Sequence, residues 1–346
     1  MKMDDLFKIA VDQKASDLHI IVGMPPVLRI DGKLGPIKDS SKITNKIAEE
    51  MIYPLLSEKQ KEIFLTIREL DLSHELKTGH RFRVNLHWEK DNIGLVARVI
   101  SSKIPTMEDI EMPEIAYKLL ESSQGLILVT GPTGCGKSTT LAAMINYINN
   151  TRSANIITLE DPIEFLFQPN KSIIKQRQLH TDMLTFQNAL IHVLRQDPNV
   201  IMVGEMRDLE TIAATVTLAE TGHLVLGTLH THNAAQTIDR IIDIFPSHQQ
   251  QQIRLQVSMT LKAIISQQLI PQDKAGRVAA REILLNTPAV SNLIRENKIT
   301  QIKTVIQTSA QEGMITMDQD LINLFNAGKI SKETAQAQMS NPEMID

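Results

Sequence analysis

The sequence predicts an α/β protein in two parts, an α+β N-terminal domain followed by a mainly parallel α/β domain. Three observations carry that expectation. The first hundred residues mix short alternating strands with helices. From Gly125 onward, short apolar runs alternate with helical patterns, as strands and crossover helices of a parallel sheet do. Between two such segments stands Gly131-Pro-Thr-Gly-Cys-Gly-Lys-Ser138, a complete G-x-x-x-x-G-K-S loop. A length of 346 residues suits two domains.

Residues 1–101 form the predicted N-terminal domain. Alternating runs at 18–22 and 27–30 flank a Gly-Met-Pro-Pro turn, and Ile30-Asp-Gly-Lys33 supplies the next turn of a meander. Helices are expected at 45–55 and 58–66, then a strand pair at 81–86 and 93–100 around Asp91-Asn92. Period-two alternation puts Arg81 and Arg83 on one face, and Arg98 lies on the second strand of the pair. A connector with a short helix covers 102–122, its linker being 101–105. The second domain, 123–285, carries expected strands at 125–130, 155–160, 200–204 and 223–229. A long helix at 249–269 and a strand at 279–285 close it, and 286–346 reads as a helical C-terminal region. No internal repeat is visible.

Composition narrows the partners. Aromatics make up 3% against 42% hydrophobic residues, so the cores are built from aliphatic side chains. A net charge of −4 offers no general attraction to nucleic acid or anionic lipid, and stacking residues are few. The one cysteine, Cys135, leaves no disulfide framework and no cysteine zinc site; it reads as a small loop-filling side chain rather than a redox thiol. An acidic N-terminus without an apolar h-region, and no apolar run of membrane-spanning length, predict a soluble cytoplasmic protein without an intrinsic span.

The loop supplies the chemistry. Gly131, Gly134 and Gly136 let the backbone curl so that N–H groups face phosphate oxygens, with Pro132, Thr133, Cys135 and Thr139 completing the cradle at a helix N-terminus. Lys137 then reaches the β- and γ-phosphates of ATP, and the Ser138 hydroxyl takes a place on Mg²⁺. Val200-Ile-Met-Val-Gly-Glu205 is a strand ending in a carboxylate; Gly204 replaces the usual aspartate, so Glu205 is expected to orient the attacking water and to share in holding the metal. Ile156-Ile-Thr-Leu-Glu-Asp-Pro-Ile-Glu164 delivers three more acidic groups to a strand end. Glu164 is favoured for water activation, Glu160 for metal, and Asp161 for a supporting role. His230 ends the 223–229 strand, where it is placed to sense a γ-phosphate. His223 begins that strand and reads equally as a supporting group or a solvated residue, while His232 reads as loop. Arg195 and Arg207 flank the Glu205 strand. With Arg81, Arg83 and Arg98 they are the candidate arginine contacts to phosphate, some of them from a neighbouring subunit.

The phosphate loop, Ile157-Thr-Leu-Glu-Asp-Pro-Ile-Glu-Phe165, Leu194-Arg-Gln-Asp-Pro-Asn-Val-Ile-Met-Val-Gly-Glu-Met-Arg-Asp208 and Ala219-Glu-Thr-Gly-His-Leu-Val-Leu-Gly-Thr-Leu-His-Thr231 together resemble the secretion-ATPase superfamily, whose motors serve type II secretion and type IV pili. Glu282-Ile-Leu-Leu-Asn-Thr-Pro-Ala-Val-Ser-Asn-Leu-Ile-Arg-Glu296 is similar to the C-terminal signature of its retraction branch, with Ser291 in place of an arginine. The resemblance implies a PAS-like N-terminal domain, a RecA-like P-loop ATPase domain and a ring, commonly a hexamer, with ATP and Mg²⁺ as its fuel. It also implies work on an inner-membrane platform protein (PilC-like) to draw pilins back from the pilus base. An accessory, PilU-like retraction ATPase, which is also a candidate paralogous partner, and an assembly or secretion motor are the alternatives within the superfamily. Assembly motors carry a further N-terminal domain and a four-cysteine zinc module, against which the start of this chain and its single cysteine argue.

Overall fold

The computed structural model describes residues 2–30, 32–100, 104–273 and 276–345. The chain separates into two compact units, residues 1–103 with Pro162–Leu166, and Ile104–Asp161 with Phe167–Asp346. The start of the expected linker, residues 101–103, lies outside the described residues, as does Asp31 in the Ile30–Lys33 turn.

The first unit runs α1 (Met3–Asp12), β1 (Asp17–Ile20), β2 (Val27–Ile30), β3 (Lys33–Pro36), α2 (Asn45–Ile52), α3 (Glu58–Ile67), β4 (Glu69–Glu75), β5 (Arg81–Glu89) and β6 (Asn92–Ile100). Its six strands make an antiparallel sheet in the order β3-β2-β1-β6-β5-β4. Lys90 and Asp91, with φ of 47° and 60°, make the tight left-handed turn between β5 and β6 that a two-residue hairpin requires. Ser57 and Gln60 cap α3 reciprocally. Phe82 and Val84 alternate with more exposed residues along β5, and with Leu18 and Leu95 they share one core with Leu6 and Phe7 of α1. Strand β4 was not expected; its Glu-Leu-Asp-Leu-Ser-His-Glu sequence alternates but carries the acidic residues that strands avoid.

The second unit contains α4 (Glu114–Leu120), β7 (Gly125–Thr130), α5 (Lys137–Thr151), β8 (Asn155–Glu160), β9 (Ile173–Gln178), α6 (Phe186–Val193), β10 (Val200–Val203), α7 (Leu209–Glu220), β11 (Leu224–Leu229), α8 (Ala234–Asp243) and α9 (Ser247–Thr260). Then come β12 (Leu261–Pro271), β13 (Arg277–Leu285) and the helices α10 (Pro288–Arg295), α11 (Ile302–Thr308), α12 (Met317–Asn326) and α13 (Lys332–Gln338). The sheet order is β13-β12-β7-β11-β10-β8-β9, parallel throughout except for β13, which is antiparallel to β12. Strands β7, β8, β10 and β11 are buried along their whole length, which is why they read as continuous apolar runs.

One expectation is corrected here. The helix expected over 249–269 stops at Thr260, and the remainder is β12, lying parallel to β7. The apolar residues of β12 fit either period, and the strand is buried on both sides, so no alternation marks it. Strand β9 was also missed, because Ile-Ile-Lys-Gln-Arg-Gln sits at the sheet edge with little buried.

Candidate nucleotide-binding and catalytic site

Parallel strands β7, β8, β10 and β11 release their C-terminal ends at one edge of the sheet, where ligands of open α/β folds gather. The loop 131–136 leaves β7 there and enters α5 at Lys137. Its glycines are required by geometry. Gly131 has φ of 141° and Gly136 of 89°, and a Cβ on Gly131 would collide with the Gln267 carbonyl and lie 2.6 Å from Cys135 Sγ. Lys137 is 9% exposed, and its ammonium donates to the carbonyls of Gly131 at 2.8 Å and Pro132 at 3.0 Å, across the inside of the curl. A curled backbone without room for side chains, a helix N-terminus and a lysine folded over it suit a polyphosphate. Ser138 and Thr139 are half-buried in the first turn of α5. Burial pushes the Cys135 thiol above its usual range, against the pull of Lys137, so it stays protonated and unreactive.

Glu205 follows β10 after Gly204. Arg207 grips both its oxygens, Nε to Oε1 at 2.7 Å and a terminal nitrogen to Oε2 at 2.7 Å, and His230 Nε2 stands 3.1 Å from Oε1. A carboxylate only accepts, so Nε2 of His230 carries the proton, and in the neutral ring Nδ1 accepts from the Thr133 hydroxyl at 3.4 Å. The histidine thus bridges the phosphate loop and Glu205. Burial pulls the Glu205 pKa up, but hydrogen bonds from Arg207 and the charges of Arg207, His230 and Lys137 hold it below the ordinary carboxylate value. Arg207 reaches on to Asp161 at 3.9 Å. A Cβ on Gly204 would stand 3.1 Å from the Leu159 carbonyl oxygen, so the β8 backbone runs close against the position where the aspartate is usual.

Glu160, at the end of β8, is 6% exposed and accepts from Thr158 Oγ1 at 2.6 Å and from Gln176 Nε2 at 3.1 Å. Its Gln176 partner comes from the unexpected strand β9. Among the described residues there is no cluster of three His, Cys, Asp or Glu side chains fit to hold a metal. A phosphate-loop magnesium does not need one, since it takes one or two protein oxygens and completes its shell with phosphate and water.

The remaining expected residues fall elsewhere. Glu164 lies in Pro162–Leu166, the segment grouped with the first unit. Arg83 faces Arg98 across β5 and β6; Arg98 pairs with the buried Asp17 at 2.9 Å, and Arg81 donates to Ser73 at 2.9 Å, all within the first unit. Arg195 is exposed after α6. His223 is not at the site's edge of the sheet: it precedes β11, a strand of roughly 20 Å, and its Nδ1 lies 3.0 Å from the Leu218 carbonyl at the end of α7.

Sequence reasoning missed Gln267. It is 1% exposed on β12, donates to the Cys135 carbonyl at 2.7 Å and accepts from Thr140 Oγ1 at 2.9 Å, bracing the loop from beneath. Beside it Ser266 shares a hydrogen bond of 2.8 Å with Thr130. Reading 249–269 as helix hid both. The aliphatic Leu-Lys-Ala-Ile-Ile run was the only signal available.

A strand, a G-x-x-x-x-G-K-S loop and a helix, with a carboxylate and a histidine on neighbouring strand ends, define a RecA-like P-loop ATPase unit. The model of the type II/IV secretion system protein family matches residues 3–333, and the chain belongs to that family. It is 46% identical over 343 residues to the type IV pilus retraction ATPase PilT of Pseudomonas aeruginosa, covering 99% of each chain. It is 49% identical over 341 residues to a twitching motility protein of Neisseria gonorrhoeae, covering 98% of this chain and 91% of that one. The crystal structure of the pilus retraction motor PilT with bound ADP superposes with a TM-score of 0.93 at 42% identity, over 100% of this chain and 99% of that one.

Proposed function

We propose that this chain is a Mg²⁺-dependent ATPase motor that powers retraction of type IV pili. The observation that carries the reading is the end-to-end match with PilT by a chain whose phosphate loop is intact and whose Glu205 is held ready beside it. The pilus retraction motor PilT of known structure holds ADP, and the loop here has the cradle for the same ligand.

Each residue has a part. Backbone N–H groups of 131–137 grip the phosphates, and Lys137 leaves its carbonyl partners to follow charge onto the γ-phosphoryl oxygens. Mg²⁺, when bound, would neutralise charge on the phosphates, and Ser138, Glu160 and Glu205 are the candidates for its one or two protein oxygens. Glu205, kept ionised by Arg207, orients the water and takes its proton, and His230 carries the state of the phosphate loop to that carboxylate. Glu164 is a second water-activating group. Arg81, Arg83, Arg98 and Arg195 supply cations to the phosphates in a ring of copies, a hexamer. The ring works at the pilus base on an inner-membrane platform protein. No helix among the described residues is long and apolar enough to cross a membrane, in keeping with peripheral attachment.

Deleting the gene in its host tests the reading. Surplus pili that no longer retract, with loss of twitching, are expected. Cells without pili would contradict retraction and favour assembly.

A further inference from the structure

Gln267, which braces the phosphate loop, stands directly opposite Arg281 in the β12–β13 ladder. Directly paired residues of antiparallel strands put their side chains on one face, in reach of each other. Arg281 is 4% exposed, and its guanidinium donates to the carbonyls of Ile110 at 2.6 Å and Glu111 at 3.1 Å. Those carbonyls belong to the stretch with which the second unit begins, Ile104 onward. The turn they form is strained, since Glu111 has φ of 51°, a region disfavoured for a residue with a Cβ. Lys329 adds a pair to the Glu111 carboxylate at 2.6 Å, and Asp320 accepts from the Arg281 backbone N–H at 2.7 Å. One cross-strand pair therefore holds the phosphate loop with one member and a strained turn with the other.

We propose that Gln267 and Arg281 form one positioning strut, through which the grip on the Ile110 and Glu111 carbonyls sets the affinity of the phosphate loop for nucleotide. The inference rests on reading that loop as a nucleotide site. Release of the turn lets Arg281 shift; Gln267 shifts with it and surrenders the Cys135 carbonyl, so the cradle loosens. Coupling of this kind is reciprocal: nucleotide that tightens the loop tightens the hold on the turn by the same factor. Binding and loss of nucleotide are then felt where the chain enters the ATPase unit.

The test is ADP binding to the purified full chain with Mg²⁺, by titration calorimetry, and amide exchange at Glu111 and Met112, whose N–H groups bond within the turn. Gln267→Leu is expected to weaken ADP about tenfold, the cost of stranding two buried partners. Arg281→Met is expected to weaken it about threefold or more although the hydrogen bonds of Arg281 go to Ile110, Glu111 and Asp320 and not to the loop, and to add little in the Gln267→Leu background. ADP should slow exchange at Glu111 and Met112 in the wild type and fail to do so in Gln267→Leu, a readout that a general loss of stability does not produce. Should Arg281→Met not fold, Arg281→Lys, which keeps the charge but loses the forked grip, carries the same comparison. Wild-type affinity in either variant, or additive effects in the double variant, would overturn the strut. A wild-type chain that binds no ADP would instead overturn the functional reading beneath it.

Discussion

The two sides of strand β7 are built from different chemistry. Toward β11 and β10 lie Glu205, His230 and Arg207, with side chains 23%, 41% and 64% exposed. Toward β12 lie Thr130, Thr140, Ser266 and Gln267, all neutral, all hydrogen-bonded and none more than 2% exposed. The difference follows from what each side must do. Groups that move protons and meet water need access and charge, whereas groups that fix a backbone curl must not exchange partners with solvent. On the proposed function, one flank reacts and the other positions.

Substitutions on each flank break or sharpen that contrast. The largest effect sits between them: Lys137→Ala removes the cation facing developing phosphoryl charge, and kcat for ATP hydrolysis should fall by at least about a hundredfold in a phosphate-release assay. On the reactive flank, Glu205→Gln should retain ATP binding while kcat drops about tenfold or more; an unchanged kcat would transfer water activation to Glu164.

Arg207→Ala should act through pH. Glu205 has a depressed folded pKa, so its ionised, paired form persists above that value and is lost as pH falls through it. Removing Arg207 lets the pKa rise, and the acid limb of the kcat–pH profile should move to higher pH. A limb that stays in place would show that Arg207 does not tune Glu205. On the positioning flank, Thr130→Val strands the Ser266 hydroxyl in a dry site and should cost about 1–3 kcal/mol in urea unfolding, with a smaller rise in KM for ATP as the loop loses support.

The first flank was legible in the sequence apart from the hold of Arg207 on Glu205, where the sequence offers only a candidate phosphate contact, and the positioning flank was not. The loop announces itself because only glycine fits at 131 and 136, and Glu205 and His230 each end an apolar run that could only be a buried strand. That Gly204 replaces an acid was visible, but the closeness of the β8 backbone at that position is tertiary. Ser266 and Gln267 carry no charge and lie on a strand buried on both sides, directly after a true helix, so the helical pattern was extended too far. His223, read equally as a supporting group or a solvated residue, lies in the same stretch of sequence as His230, yet the length of β11 separates them. In the first unit the meander turn after β2 and the β5–β6 hairpin were readable from alternation, while β4 carries too many acidic residues to show as a strand.

Steady-state phosphate release from ATP by the purified chain, with and without Mg²⁺, addresses the central claim most directly. Saturable turnover that disappears on chelating Mg²⁺ and in Lys137→Ala is the expected result. A chain that binds ATP but releases no phosphate above the buffer rate would contradict it, and would leave the Glu205–Arg207–His230 cluster without the hydrolytic role assigned to it.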